Sequence, residues 1–301
     1  MKKILFASTA LIATAGVASA ELTIGGSARF GLAYTENATN ETRVEQRMRV
    51  NFTGIAETDA GVKLEARFRL ESNEASDSSI SGRGPGAAGF AVSYGGLRVD
   101  VGNVSDVFDS GDQVDYYGYG IGLTALIEQN SVWYDTGVDI GGFGAGASNK
   151  TTIKARYTVG DFSTSLSYAD DKVASNEEIQ FGLGYTLANG MALGAAYGTD
   201  DLSGDYWIAN VAGSAGALGY SVIIGDGDMF DDIAYGASIN YEVSSATAIQ
   251  FVVSGGGLDT SETAYGLGFT HGLGGGVTLA GGVASSTTDT MLADFGVKFS
   301  F

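Results

Sequence analysis

The chain lacks several residue types that other folds depend on. Its 301 residues include no cysteine, one proline and one histidine, His271. Without cysteine there are no disulfides and no thiolate metal sites, and a single histidine excludes most imidazole metal clusters. The scarcity of proline leaves ladders of backbone N–H donors uninterrupted, while the 47 glycines suit turns and close strand approach better than helices. These features favour a fold built from paired strands.

Basic residues are also scarce. The chain has 16 Lys and Arg against 35 Asp and Glu, a formal net charge of −19 at pH 7. Such acidity repels phosphates and argues against nucleic acid as a partner. It suits a surface that binds divalent cations or cationic solutes.

The first twenty residues differ from the rest of the chain. Two lysines are followed by an apolar run that ends near Val17, and then by Ala18-Ser19-Ala20. This pattern predicts a secretory signal peptide over residues 1–20, with the mature domain over residues 21–301. The apolar run is shorter than the roughly 20 residues that a spanning helix needs. Because no later apolar stretch approaches that length, only a closed barrel could place the mature domain in a membrane.

The last strand shows the pattern that dominates the mature chain. Apolar residues occupy one parity from Met291 to Phe301, and mostly polar or small residues occupy the other. Similar alternation recurs in sixteen segments, five before a long departure at about 104–150 and eleven after it. Tight connectors alternate with longer acidic ones, as in outer-membrane barrels. The sequence therefore predicts an all-β fold, a transmembrane 16-stranded antiparallel β-barrel. A water-soluble barrel would hide its apolar parity inside, and dense charge on the opposite parity of the second and third strands counts against it.

The start Glu21-Leu22-Thr23-Ile24, the overlong loop after the fifth strand, the acidic connectors and the terminal Phe301 resemble the general diffusion porins of Gram-negative bacteria. The glycine-rich, cysteine-free character is most similar to the alphaproteobacterial porins. The resemblance implies a homotrimer in the outer membrane, in contact with lipid and lipopolysaccharide. It also implies a passive, water-filled channel for small polar solutes and ions, with residues 104–150 folded into the lumen as a constriction loop. A substrate-specific channel, for example for sugars, is the alternative.

The inward parity of the early strands concentrates cations on one arc of the wall. The predicted basic side of the constriction consists of Arg29, Arg47, Arg49, Lys63, Arg67, Arg69, Arg98, Lys154 and Arg156. The loop is expected to present carboxylates opposite this arc, namely Asp106, Asp109, Asp112 and Asp115, with Glu128, Asp135 and Asp139 as further candidates. A transverse field across a narrow, wet opening would follow.

Three alternatives accompany this interpretation. The wall carboxylates Glu45, Glu65, Glu71 and Asp100 could pair with the bases and merely stabilise the wall. A plugged, structural barrel would show bulky lumenal residues, whereas small ones predict an open interior: Gly182, Gly184, Gly194, Gly236, Ser238, Gly266, Gly268 and Thr278. A hydrolytic barrel would need a nucleophile elbow near His271, and no G-x-S-x-G occurs, so no enzyme is expected. No cofactor is predicted either, although calcium is kept as an option for the acidic loops, notably at Asp226, Asp228, Asp231 and Asp232.

Overall fold

The computed structural model describes residues 20–74, 80–136, 138, 142–144 and 150–301. The predicted signal peptide and Asp139 therefore lie outside the described residues, except for Ala20. The described part contains one short helix, α1, Ser131–Asp135, and none of its helices is long and apolar enough to cross a membrane. Its strands are β1 Glu21–Thr35, β2 Thr42–Glu57, β3 Lys63–Glu74, β4 Ile80–Pro85, β5 Gly89–Tyr94, β6 Leu97–Gly102, β7 Lys150–Val159, β8 Phe162–Asp171, β9 Asn176–Thr186, β10 Ala192–Asp200, β11 Gly204–Ala215, β12 Leu218–Gly227, β13 Ala234–Glu242, β14 Thr247–Gly255, β15 Ala264–Gly274, β16 Val277–Ser285 and β17 Met291–Ser300.

These strands form one closed antiparallel barrel. The last strand, β17, pairs with β1 as well as with β16, so the sheet has no free edge there. Both β4 and β5 pair with β3, which makes them successive segments of a single barrel strand. Counted this way the barrel has sixteen strands, and the predicted fold is confirmed. Its last residue, Phe301, exchanges two backbone hydrogen bonds with Gly26, at 2.7 and 3.0 Å.

The polar composition from Ser72 to about Ala88 predicts a loop, and this prediction is wrong at residues 72–74 and 80–85. In the structure β3 continues to Glu74, and β4 pairs with it, with Asn73 opposite Ser81. The ladder has an irregularity between Glu71 and Ser72. Strand pairing can continue here without apolar alternation, because a strand that extends beyond the apolar band of a barrel needs no apolar outer face.

The outer face of the barrel is apolar. Phe30, Leu32, Leu166 and Phe295 are each more than half exposed, and similar side chains repeat along the other strands. Exposed aliphatic and aromatic residues in this density would be costly in water, at roughly 25 cal/mol for each Å² of apolar surface. The buried residues lie on the opposite, inward parity. This arrangement rules out the water-soluble barrel.

The two rims of the barrel differ. One rim, the short-turn rim, has tight connections such as 160–161 and 216–217, and both Glu21 and Phe301 lie at this rim. Its two-residue turns include Gly160 and Gly216 at positive φ, +55° and +63°, as hairpin turns of this length require. The opposite rim, the long-loop rim, has longer connections such as 228–233 and 256–263. The connection between β6 and β7, residues 103–149, also starts and ends there.

Candidate pore constriction

The described part of the 103–149 connection, called the inner loop below, lies against the inner wall of the barrel. Polar side chains on the wall bind its backbone: the Gln180 Oε1 atom accepts the N–H groups of Val107 (2.9 Å) and Phe108 (3.1 Å). Further round the wall, Ser238 Oγ accepts the N–H of Tyr119 at 2.9 Å. Other wall residues that bind the inner loop are Ser167, Asn210, Ser221, Ser254 and Asp294. Except for Ser221, which accepts the Gln129 side-chain amide, these residues bind backbone N–H groups that a loop inside a barrel would otherwise leave unpaired.

An apolar core joins the inner loop to the wall. Trp133 is 1% exposed and packs edge-to-face on Tyr116 and Phe230, with ring centroids 6.2 and 4.7 Å apart. Aromatic pairs in this geometry stabilise by about 0.5–1.5 kcal/mol beyond area burial. The wall contributes Ala196, Tyr206, Ile208, Ile223 and Ala234, and the loop contributes Val107, Phe108, Val114, Tyr116, Val132, Trp133 and Val138.

The small inward residues of the later strands make room for this loop, so their prediction of an open interior was wrong at most positions. A Cβ added at Gly236 would stand 1.8 Å from the Gln129 carbonyl oxygen, and one at Gly194 would stand 2.0 Å from that of Gln113. Gly182, Gly184, Gly266 and Gly268 also abut the loop. Only Thr278 of this set lines the open cavity described below. Small side chains permit close approach of a second backbone as readily as they leave space.

A tight turn of the inner loop is held by the last strand. The carboxylate of Asp294 accepts the N–H of Leu123 (2.8 Å), the N–H of Thr124 (2.8 Å) and the Thr124 hydroxyl (2.7 Å). Gly122 precedes this turn at φ +82°, and a Cβ there would lie 2.3 Å from the carboxylate. Only glycine satisfies both conditions, because other residues are strained at this φ.

A polar cavity of about 560 Å³ separates this turn from the strands that the loop does not cover. On the wall side it is lined by Arg29, Arg47 and Arg49, which were predicted, and by Lys298, which was not among the predicted constriction residues. On the loop side it is lined by residues near the Asp294 turn and by Glu128. The signal for Lys298 was present in the sequence, since it shares the inward parity of Asp294 on β17.

The remaining predicted bases lie elsewhere. The guanidinium groups of Arg67 and Arg69 stand over the Phe143 ring, 4.5 and 4.8 Å from its centroid, and Arg69 Nη1 donates to the Phe143 carbonyl oxygen at 2.9 Å. Lys63 is exposed at the start of β3, beside the short-turn rim. Arg98 is bound to two wall carboxylates described below.

Lys154 and Arg156 also depart from the prediction, because they bind the inner loop directly. Lys154 Nζ lies 2.7 Å from Asp112 Oδ2, and Arg156 binds the other carboxylate oxygen. Burial alone would raise the pKa of Asp112, but these two cations override it and hold the pKa below its usual value. Asp112 therefore fastens the inner loop to β7, because it binds Lys154 and Arg156 directly and does not face them across an opening.

The four aspartates predicted to face the basic arc do not line the polar cavity. Asp106 is fully buried and accepts the N–H of Asp109 at 2.8 Å, while Asp115 accepts the N–H of Gly118 at 3.0 Å. Asp109 accepts the hydroxyl of Tyr117. These local bonds to the backbone three residues on shape the loop, as Asp side chains often do in turns. Charge clustering in the sequence could not separate such structural aspartates from lumenal ones.

Glu128, named only as a further candidate, is the loop carboxylate that lines the cavity. Burial raises its pKa to about 7, and a 3.4 Å hydrogen bond from the Tyr134 hydroxyl opposes the shift. Asp135, the other described candidate, accepts the Ser261 hydroxyl at 2.7 Å near the long-loop rim. A carboxyl whose pKa is raised toward neutrality therefore lines the same cavity as the arginines.

All four wall carboxylates form ion pairs with the bases, whereas the idea that they merely stabilise the wall stays a prediction. Glu45 Oε1 lies 2.7 Å from Arg29 Nε, and Glu71 binds Arg49. Glu65 and Asp100 each lie 2.9 Å from Arg98. Among the described residues, no ion pair reaches Arg47 or Lys298. The open positive charge of the cavity is thus concentrated on these two.

Comparison with known proteins agrees with this architecture. The model of the Gram-negative porin family matches residues 7–291. The chain belongs to the Gram-negative porin family. This porin is 30% identical over 304 residues to a porin of Fuscovulum blasticum and 26% identical over 319 residues to a porin of Rhodobacter capsulatus, and each alignment covers 93% of this chain and 100% of the relative. Solved structures of two Rhodopseudomonas blastica porin mutants, each with three substitutions, superpose with TM-scores of 0.78 and 0.73 at 26% and 25% identity, again over 93% of this chain and 100% of theirs.

Membership fixes the broad activity. The porin is an integral β-barrel of the Gram-negative outer membrane and a passive, water-filled channel through which small hydrophilic solutes and ions diffuse. The apolar outer belt and the polar cavity beside the inner loop suit this activity. The long-loop and short-turn rims have the asymmetry that outer-membrane barrels share.

Proposed function

We propose that the polar cavity is the constriction of the channel and that its basic wall selects among the solutes that pass. The observation that carries the proposal is that Arg29, Arg47, Arg49 and Lys298 line one polar cavity together with Glu128. Two of these four cations are neutralised by wall carboxylates and two are not. Small anions should therefore pass more readily than cations of the same size.

The field in this cavity is strong enough to filter solutes without trapping them. Two unit charges about 8 Å apart interact by about 0.5 kcal/mol in bulk water and by about 2 kcal/mol at an effective dielectric near 20. Energies of this size shift relative permeability severalfold, while each solute still leaves the site quickly. Ordered water in such a field also disfavours apolar solutes.

The basic wall is tested by ion selectivity in planar bilayers. Replacing Arg47 and Arg49 with glutamine should move the reversal potential in a KCl gradient toward cation selectivity, because the cavity loses positive charge. Lys172→Gln is the control: it removes one positive charge, where the double variant removes two, from a side chain that is 78% exposed and bound to Asp170 at the long-loop rim. A reversal potential that is unchanged in the double variant would show that these arginines do not line the conduction path.

We further propose that the porin is a homotrimer whose subunits meet through β16, β17 and β1 to β3. Exposed tyrosine or tryptophan side chains repeat along the rest of the outer face, at Tyr94, Tyr157, Tyr168, Tyr185, Tyr197, Trp207, Tyr235, Tyr241 and Tyr265. Such aromatics form the girdles that meet the membrane interfaces. The proposed face instead exposes Phe, Leu, Val and Met, as a surface covered by protein would.

The subunit interface is tested by one polar substitution on each side of the barrel. Leu32 and Leu166 are similarly exposed, at 55% and 53%, on opposite parts of the wall. Leu32→Gln should reduce the trimer fraction in mild detergent, measured by native mass spectrometry, because glutamine would be buried between subunits without a partner. Leu166→Gln, which would face lipid, should leave that fraction unchanged. Equal effects of the two variants would contradict the interface.

The calcium option stays a prediction. Among the residues that the structure describes, no group of three or more acidic or histidine side chains is placed to hold a metal ion. In the acidic connection before β13, Asp228 accepts the N–H of Asp205 and Asp231 accepts that of Asp259, both at 3.0 Å. These bonds tie neighbouring external connections together.

A further inference from the structure

Three cations of the cavity wall occupy directly opposed positions on neighbouring strands. Lys298 on β17 pairs with Arg29 on β1, and Arg29 pairs in turn with Arg47 on β2. Like charges directly opposite one another destabilise a strand pair. Stability of the wall therefore does not account for the row, and an anionic partner in the lumen would.

Among the described residues, ion pairs to carboxylates reach only the middle of this row. Glu45 lies 2.7 Å from Arg29, and Glu71 is bound to Arg49 in the adjacent row. In the described ranges, neither Arg47 nor Lys298 lies within ion-pair distance of a carboxylate. Two cations without an ion-pair partner among the described residues thus flank one that has such a partner.

The spacing of the two cations defines what they could bind together. Adjacent strands lie about 4.8 Å apart, so the backbones of Lys298 and Arg47 are separated by about 10 Å across β1. Both line the same polar cavity of about 560 Å³, within the roughly 300–1,000 Å³ range of small-ligand sites. Their long, flexible side chains can converge on two acidic groups that are a few carbon atoms apart.

We propose that this cavity is a weak binding subsite for small dicarboxylates, with one carboxylate at Arg47 and the other at Lys298. Arg47 can bind a carboxylate through two parallel N–H bonds, and Lys298 supplies a point charge. Thr278, which pairs with Lys298 from the neighbouring strand β16, lines the same cavity and offers a hydroxyl group beside that end. The inference rests on the proposed function, since it names a preferred solute class for the same constriction.

The test compares anions in single-channel recordings at neutral pH and constant ionic strength. Succinate is the probe, acetate is the single-charge control and succinamide is the uncharged control. We expect succinate to reduce the chloride conductance with a saturating concentration dependence, because a bound dianion excludes chloride. Acetate and succinamide should do so at least about fivefold less effectively, since each engages at most one of the two cations.

Variants assign the effect to the two side chains. Arg47→Gln and Lys298→Gln should each raise the half-blocking succinate concentration about fivefold, whereas Lys298→Arg should retain the block. Lys172→Gln, with the same loss of charge outside the lumen, should behave as the wild type. Equal blocking by succinate and acetate in a conducting wild-type channel would overturn the dicarboxylate subsite and leave the diffusion channel standing. Absence of ohmic channels would overturn both.

Discussion

The inner faces of β8–β14 and of β17, β1 and β2 differ, although their outer faces follow the same apolar alternation. The first set, the covered arc, presents glycine, serine and a few apolar side chains and is packed against the inner loop. The second set, the open arc, presents long cationic side chains toward a water-filled cavity. A wall of small residues accepts a second backbone, whereas charged arginines would lose hydration under one. The types of residue that face inward thus decide on which arc of the barrel the inner loop fills the channel and on which arc the channel stays open.

The boundary between the two arcs falls within β17. Asp294 accepts three hydrogen bonds from the loop turn at Leu123 and Thr124, and Lys298, four residues later on the same face, lines the cavity. The strand β17 therefore holds the edge of the loop through Asp294 and supplies a positive charge to the opening through Lys298.

A methyl group added on each arc gives the largest expected contrast. Gly236→Ala on the covered arc would place a Cβ 1.8 Å from the Gln129 carbonyl oxygen, so the loop must shift. Overpacking of this kind typically costs about 1–3 kcal/mol. We expect a lower unfolding temperature and an altered single-channel conductance. Gly25→Ala on the open arc, where the nearest atom would be 3.6 Å away, is the matched control and should change neither quantity. Equal unfolding temperatures and equal conductances of the two variants would contradict the distinction between the arcs.

Neutralising the boundary carboxylate should free the loop turn. Asp294→Asn keeps the size of the side chain but replaces one of the two acceptor oxygens with a donor, next to N–H groups that also donate. Loss of charged hydrogen bonds of this type costs about 1.5–3 kcal/mol. We expect flickering between conductance levels in single-channel records, because the turn borders the opening. Lys298→Gln removes a charge from the same strand without touching the turn, and should show no flickering between conductance levels. Absence of flickering in both variants would show that Asp294 does not hold the loop.

The smallest expected effect concerns pH, and it depends on Glu128 as the loop carboxylate of the cavity. Burial raises the Glu128 pKa to about 7, so the group is mostly neutral at pH 6 and mostly charged at pH 8. It shares the cavity with Arg29, Arg47, Arg49 and Lys298 and accepts the Tyr134 hydroxyl. Raising the pH through 7 therefore adds one negative charge opposite the cations, and the reversal potential in a KCl gradient should move toward cation selectivity.

Glu128→Gln isolates this titration from others in the porin. Glutamine stays neutral, so the variant should show the selectivity of the acidic form at every pH between 6 and 8. The loop aspartate Asp112 offers no competing transition in this range, because its pKa lies below the usual value. A pH-dependent shift that survives in Glu128→Gln would assign the titration to another group.

Several features could be predicted from particular residues. The alternation from Met291 to Phe301 gave the strand and its outward face, and the inward parity of Arg29, Arg47 and Arg49 placed them correctly on the cavity wall. Periodicity of two is local, so no knowledge of distant contacts was needed. The signal peptide over residues 1–20 and the role of the inner loop as the constriction remain predictions.

Other features could not be predicted, because they depend on contacts between distant parts of the chain. Leu123 is bound by Asp294, 171 residues away, and Gln129 packs against Gly236 on β13. Nothing in the local pattern shows that Asp112 turns toward Lys154 whereas Glu128 lines the cavity. Both are acidic residues in one loop, and only packing on the wall orients them.

The sequence by itself determined that this chain forms a barrel, which face meets lipid and which bases point inward, since each follows from the alternation of side chains along a strand. The tertiary structure alone decided which inward surface is covered, which bases are neutralised and which carboxylate faces the opening. Those outcomes depend on how a long loop docks on a closed wall, and docking is set by the shape and hydrogen-bonding groups of many strands at once.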